Sequence, residues 1–233
     1  MKNGHAPANR NTRRILSIAC ATALAAAFAA SLPQPARAGR VTPPPVPYGI
    51  QVPAGNTAFL VGHAVGTQNY VCLPSATSIT GFAWTLFTPE ATLFSDDDKQ
   101  LITHFFSPNP DPLDPNTNPA VVADGAIRAT WQHSRDTSTV WAKLHVAPYT
   151  EADFVAPGAV AWLLLERVGD EAGPDGGDAL TATTFIHRLN TAGGLAPATG
   201  CAVASNIGNQ AFVPYAADYF FYRGPDSGGD DAN

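Results

Sequence analysis

The side chains best able to do chemistry in this sequence are histidines that fall on or beside short apolar stretches. Five of the six histidines share this setting: His63, His104, His133, His145 and His187. Imidazole can ligate a transition metal or act as a general base near neutral pH. No two of the five form a close His-x-His pair, and no H-E-x-x-H motif occurs, so the spacing predicts no metal and no cofactor.

The segment "HSRDTS" (His133–Ser138) contains the three residue types of a catalytic triad. Triad side chains converge from separate elements, whereas neighbouring residues in one turn point apart. We therefore predict a turn whose backbone is ordered by Arg135 and Asp136. G-x-S-x-G, C-x-x-C and glycine-rich phosphate motifs do not occur either, which favours a protein without catalytic activity. The alternative is a hydrolase or metal-dependent enzyme that uses His133, His145 or His63 with loop carboxylates.

A candidate ligand site comes from the alternation in "TVWAKLHV", residues 139–146. Val140, Ala142, Leu144 and Val146 fall on one face of a predicted strand, and Trp141, Lys143 and His145 fall on the other. An outward-facing tryptophan can stack on a sugar ring or another planar ligand. We predict Trp141, Lys143 and His145, with His133 nearby, as the ligand-binding residues. If a second layer or loop covers this face, Trp141 is structural instead.

The elements that must position these side chains are short strands. "AIRATWQ" alternates in the same way, with Ile127, Ala129 and Trp131 on one face. Runs of this kind are separated by Gly, Pro, Asn and Asp, and no long stretch has a helical period. The pattern predicts an all-β fold, an antiparallel β-sandwich or barrel-like domain of about ten short strands.

The amino terminus has the features of an export signal. A basic head is followed by the apolar run "ILSIACATALAAAFAASL" and by "ARA" before Gly39. We predict a cleaved signal peptide over residues 1–38, a Pro-rich extended arm over 39–53, a β-rich domain over 54–223 and a disordered acidic tail over 224–233. The protein is then exported, to the periplasm or the medium.

Export also assigns a role to the cysteines that remain. Cys72 and Cys201 are the two cysteines after the signal, and an even pair in an exported chain predicts one disulfide. Cys72 belongs to "GHAVGTQNYVCLP", which we interpret as a hairpin with Gly66 and Thr67 in a two-residue turn. In that register His63 faces Tyr70 across the hairpin.

Charge limits the partners. Residues 39–233 carry 8 basic and 19 acidic side chains, a net charge of −11. A chain so acidic lacks the lysines and arginines that neutralise nucleic acid or anionic lipid. No apolar stretch after the signal is long enough to span a bilayer. The expected partner is an unknown small molecule or glycan, and the oligomeric state stays open.

Several segments together resemble one known family. They are "GTQNYVC", "FAWTLFTPEATLF", "HFFSPNP", "ATWQHSRDTSTVWAK", "PGAVAWLLLE", "TFIHRLNTAGGLAPATGC" and "PYAADYFFYR", which run from about residue 52 to Arg223. The chain resembles domain-of-unknown-function family 3455, exported proteins of bacteria and fungi. The resemblance implies export and agrees with the cysteine pair, and it carries no substrate, cofactor or catalytic residue over to this chain. The sequence therefore favours an exported binding or envelope-associated module.

Overall fold

The structure is a computed structural model that describes Met1, residues 41–111, Asp114 and residues 126–225. Residues 2–38 of the predicted signal peptide and residues 226–233 of the predicted acidic tail lie outside the described residues. In the part that is described, no helix is long and apolar enough to cross a membrane.

Within the described residues, eight antiparallel strands form one closed barrel. Each strand pairs with the next one along the chain, and the last pairs with the first to close the ring. The strands are β1 (Thr57–Pro74), β2 (Phe82–Phe94), β3 (Gln100–Pro108), β4 (Ile127–His133), β5 (Thr139–Leu144), β6 (Leu163–Glu171), β7 (Thr183–Gly193) and β8 (Gln210–Arg223). The all-β antiparallel prediction is confirmed in its barrel form, with eight strands rather than about ten.

The predicted hairpin at Gly66 and Thr67 is wrong. Both residues lie in the middle of β1, which runs unbroken for 18 residues and pairs with β2 on one side and β8 on the other. A Cβ at Gly66 would collide with the backbone of β2 at Glu90 and Ala91. The glycine therefore permits a close approach between two strands, which is the other common reason for glycine inside a strand.

Side-chain alternation sorts the strand residues between the barrel lumen and its outer face. Leu93, Ile102, Trp131, Ile186 and Phe221 belong to one fully buried cluster that fills part of the lumen. Leu180, on the connection between β6 and β7, is also completely buried in this cluster. It closes the end of the barrel where this connection lies. The barrel is thus solid at one end, as eight-stranded barrels can be.

A second apolar layer covers part of the outer face. Leu164, Leu189 and Phe220 point outward from β6, β7 and β8 and pack with Trp162 and Ile50. Ile50 belongs to the arm that precedes β1, and its carbonyl accepts a hydrogen bond of 2.6 Å from His187 Nε2. The arm is therefore packed on the barrel where it reaches this layer.

The predicted disulfide is present. Cys72, near the end of β1, is bonded to Cys201 in the connection between β7 and β8, with 5.4 Å between the two Cα atoms. Backbone hydrogen bonds join Cys72 to Gly208 and Asn209 of the same connection. The bond thus ties the connection between β7 and β8 to the end of β1, far along the chain.

Candidate functional site

A cavity of about 820 Å³ occupies the end of the lumen opposite Leu180. Strand residues form its sides, and residues 148–161 of the connection between β5 and β6 form a further wall. The lining residues are mainly apolar: Tyr70, Leu86, Pro89, Phe106, Ile127, Ala129, Trp131, Ala142, Leu144, Pro148, Ala152, Val155, Ala156, Pro157, Gly158, Ala159, Val160, Ala161, Leu163, Leu165, Leu195 and Tyr219. A volume of this size falls within the range of small-molecule pockets, roughly 300–1,000 Å³.

The wall formed by residues 148–161 is held in place by backbone and side-chain hydrogen bonds. Tyr149 and Trp162 exchange two backbone hydrogen bonds of 3.0 and 2.9 Å. The Val160 N–H donates to the carbonyl of Gly193 at 2.9 Å, and the Val160 carbonyl accepts from Thr191 Oγ1 at 2.6 Å. These contacts make the cavity a pre-formed site, which is the usual state of ligand pockets.

Three cationic residues border the cavity, and they differ in their partners. The Arg128 guanidinium forms two hydrogen bonds, of 2.9 and 2.8 Å, to the Asp114 carboxylate. Lys143 Nζ lies 3.2 Å from Glu166 Oε1. Arg188 has no carboxylate within ion-pair distance among the residues that the structure describes, and its Nε and Nη2 donate to the Ala161 carbonyl at 3.1 and 2.9 Å. Arg188 is therefore the cation that a ligand could neutralise.

Burial keeps the cavity histidine neutral. His104 stacks on Trp131 with 4.3 Å between ring centroids, and its Nδ1 donates to the Thr130 carbonyl at 2.8 Å. Burial lowers the pKa of His104 to about 3, against the opposing effect of that hydrogen bond. With Nδ1 carrying the proton, Nε2 is an acceptor. His104 thus contributes a flat apolar surface and one lone pair.

Two further polar groups next to the cavity have no hydrogen-bond partner among the described residues. They are the Gln68 Nε2 amide and the Trp131 Nε1 indole nitrogen, both in side chains with about 1% exposure. Unpaired buried donors cost roughly 1–3 kcal/mol each, so a ligand acceptor would be favoured beside them.

Three of the four residues that the sequence predicted to bind a ligand lie away from the cavity. Trp141 is on the outer face, as the alternation predicts, but its side chain is 5% exposed and its Nε1 donates to Ser107 Oγ at 2.9 Å. Lys143 and His145 share the Glu166 carboxylate, with His145 Nδ1 2.7 Å from Oε2. Of the four, Lys143 borders the cavity. Ligand binding by this set stays a prediction, while the covering of Trp141 fits the structural alternative.

The "HSRDTS" segment forms the turn between β4 and β5. His133 Nδ1 lies 2.9 Å from Asp136 Oδ1, and the same oxygen accepts hydrogen bonds from the N–H and hydroxyl of Ser138. Asp136 Oδ2 accepts from the Ala179 N–H at 2.9 Å. Since one carboxylate receives all of these donors, the segment is a turn ordered by Asp136, as predicted, rather than a triad. The ordering role of Arg135 stays a prediction.

His63 is held between two carboxylates on the outer face. Its Nε2 lies 2.9 Å from Asp96 Oδ1 and its Nδ1 lies 2.7 Å from Asp218 Oδ1, while Asn190 Nδ2 donates to the other oxygen of Asp218. The hydrogen bonds to Asp96 and Asp218 raise the pKa of His63 above its usual value, with desolvation opposing them. His63, His133 and His145 contact different carboxylates, and no group of three or more metal-ligating side chains with suitable geometry occurs in the described residues.

The raised pKa of His63 predicts that the stability of the protein depends on pH. Because the folded-state pKa of His63 is raised, the stabilisation by its ion pairs is fully present below about pH 6.5 and is lost as the pH rises through the folded pKa. We expect NMR titration of the His63 ring to show a pKa above about 6.5 that falls in the Asp96→Asn variant. Asp98→Asn, in the same turn as Asp96, is the control and should change the pKa of His63 much less. An unshifted pKa in the unmodified protein would contradict the ion-paired geometry.

The cavity was not predicted from the sequence, and of the polar residues that border it only Lys143 was among the predicted binding residues. Arg188 did carry a signal, because alternation along β7 places it on the same face as the fully buried Ile186. A charged residue on an apolar face indicates either a buried pair or a binding group. Gln68 shows the same pattern on β1, where it shares a face with the buried Ala64.

The fold and the site together define a class: an eight-stranded antiparallel up-and-down β-barrel with an apolar cavity in its lumen. Within that class, the chain belongs to the family described as "Protein of unknown function (DUF3455)", whose model matches residues 53–223. The family resemblance seen in the sequence is thereby confirmed. No curated protein and no solved structure matches the chain.

Proposed function

We propose that the protein is an exported binding protein that holds one small, largely apolar molecule in the lumen of its barrel. The observation that carries the proposal is the 820 Å³ cavity, which is lined mainly by Ala, Leu, Val, Pro and aromatic side chains. Removing apolar surface from water is the main driving force for such binding, at roughly 25 cal/mol per Å². Eight-stranded barrels have the right diameter to hold one small ligand.

Two further observations support this class of ligand and location. The lining offers few polar groups, which favours an apolar molecule over a glycan, and Trp141 is covered rather than available for stacking on a sugar. The Cys72–Cys201 disulfide fits an oxidising compartment outside the cytosol, where such bonds persist.

The proposal predicts that filling the cavity weakens binding. Ala129 lies on β4, partly buried, with its side chain on the cavity wall. Phenylalanine at this position would occupy ligand space, so Ala129→Phe should weaken binding of the uncharged fluorescent probe N-phenyl-1-naphthylamine by at least about tenfold, which is 1.4 kcal/mol. Probe fluorescence in a titration gives the dissociation constant, and thermal unfolding reports whether the variant is folded.

Ala54→Phe is the matched control, since Ala54 is exposed and lies outside the strands. It should bind the probe as the unmodified protein does. A smaller change, Ala129→Leu, provides a second test if Ala129→Phe is unstable, and it should give an intermediate loss. Equal affinity in the folded Ala129 variants, or no probe binding by the unmodified protein, would overturn the proposal.

A further inference from the structure

We infer that the molecule held in the lumen carries one carboxylate, which pairs with Arg188. This inference rests on the proposed function and adds the chemical class of the ligand. It starts from a charge imbalance: the described residues that line the cavity include three cations and no Asp or Glu. The chain as a whole is acidic, with 19 acidic and 13 basic residues, so the imbalance belongs to this site.

Arg188 is the cation left over when the other two are paired. Arg128 and Lys143 have carboxylate partners in Asp114 and Glu166, whereas no carboxylate lies within 4.0 Å of Arg188 in the described part of the chain. Taking a charge out of water without a partner is costly. A charge at the wall of an apolar cavity is partly removed from water and therefore bears part of this cost. A ligand anion would remove this cost.

The guanidinium is oriented to receive such an anion. Its Nε and one Nη2 hydrogen are used by the Ala161 carbonyl, which fixes the plane of the group against the cavity wall. A guanidinium has five N–H donors. In Arg188 the second Nη2 hydrogen and both Nη1 hydrogens have no protein acceptor among the described residues. The Nη1–Nη2 edge presents two parallel N–H groups, which match the two oxygens of a carboxylate.

Two of the other polar side chains beside the cavity favour an acceptor on the ligand. The unpaired nitrogens of Gln68 and Trp131 are both donors. The positive charge of Arg188 also disfavours protonation of His104 and favours ionisation of Tyr70. An apolar chain filling the cavity and a single carboxylate at Arg188 would satisfy both features of the site.

The test compares two probes that differ in the headgroup alone, decanoate and decan-1-ol. Dissociation constants are measured for the unmodified protein, Arg188→Met and Arg135→Met, by displacement of N-phenyl-1-naphthylamine. Arg135 is exposed in the turn between β4 and β5, so its exchange removes the same charge away from the cavity. We expect Arg188→Met to weaken decanoate binding by about 10–100-fold, the usual range for a hydrogen-bonded charge pair, and to change decan-1-ol binding by less than about threefold.

The outcomes separate this inference from the proposed function. If neither probe binds the unmodified protein, the proposed function fails. If decan-1-ol binds and Arg188→Met leaves decanoate binding unchanged, the carboxylate inference fails while the proposed function stands. Arg135→Met should match the unmodified protein with both probes, and a loss of decanoate binding there would also overturn the inference.

A second measurement uses the unmodified protein, in case Arg188→Met does not fold. Decanoate labelled with carbon-13 at the carboxyl carbon is titrated by NMR in the bound state. An arginine partner favours the ionised form, so the bound carboxyl should show a lower pKa than free decanoate. A pKa that is unchanged or raised on binding would contradict pairing with Arg188.

Discussion

Removing the disulfide with the Cys72→Ser and Cys201→Ser exchanges is expected to lower the free energy of unfolding by about 5 kcal/mol. The two cysteines are 129 residues apart, and loop-closure entropy of the unfolded chain grows with the length of the closed loop. Cys72 is completely buried, so the serine hydroxyl that replaces its sulfur there is expected to add a small further loss. Urea unfolding of the purified double variant measures the effect.

The native contacts around the bond should largely survive its loss. The backbone of Cys72 remains hydrogen bonded to Gly208 and Asn209, at 3.0 and 2.9 Å. The variant should therefore show a native far-ultraviolet spectrum under mild conditions, and chemically reduced unmodified protein should unfold at a similar urea concentration. A loss of less than about 1 kcal/mol would show that the unfolded chain is not restrained as the entropy model requires.

The second large effect is expected at Asp136, where replacement by alanine should cost about 3 kcal/mol of unfolding free energy. The carboxylate accepts hydrogen bonds from the Ser138 N–H, the Ser138 hydroxyl and the Ala179 N–H. Ser138 Oγ in turn accepts from the Leu180 N–H at 3.2 Å. Asp136 thus fixes the connection that places Leu180 in the closed end of the barrel.

The pKa of Asp136 also predicts that its contribution to stability is lost in acid. Burial opposes ionisation of Asp136, but hydrogen bonds from Ala179 and Ser138 lower its pKa to about 2. A group with a depressed folded-state pKa contributes stability above its unfolded value, about 3.9, and that contribution is lost as the pH falls toward the folded value. The stability difference between the unmodified protein and Asp136→Asn should therefore shrink between about pH 4 and pH 2.

Asp175→Asn is the matched control for both Asp136 experiments. Asp175 is an exposed carboxylate in the connection between β6 and β7, which Asp136 contacts through Ala179. It should change the unfolding free energy by less than about 0.5 kcal/mol, as surface exchanges usually do. Equal losses at Asp136 and Asp175 would mean that net charge, rather than the hydrogen bonds, determines the effect.

The parts of the fold that follow from local pattern could be predicted from the sequence. Ile127, Ala129 and Trp131 share the face that lines the cavity, and Val140 and Ala142 point into the lumen as their alternation predicts. The disulfide followed from two cysteines in a chain with a predicted export signal. The first inference depends on strand periodicity and the second on redox chemistry. Neither property depends on which distant strands become neighbours.

Features that depend on long-range pairing could not be predicted in the same way. Gly66 has the residue type of a turn, and its role in letting β1 approach β2 depends on which strand becomes its neighbour. The cavity is formed by closure of the barrel and by the long connection between β5 and β6. Arg188 could be recognised as unusual by its face, but its lack of a carboxylate partner among the described residues depends on how the strands around it are placed.

The central claim is that the lumen holds an apolar ligand, and intermolecular nuclear Overhauser effects with bound decan-1-ol test it most directly. Ala129, Ala142 and Leu165 line the cavity, whereas Val61 and Leu164 belong to the outer apolar layer. We expect contacts from the ligand methylene protons to methyl groups of the first set and none to the second. Binding with contacts to the outer layer alone, or no contacts to the lumen at saturating decan-1-ol in the folded protein, would contradict it.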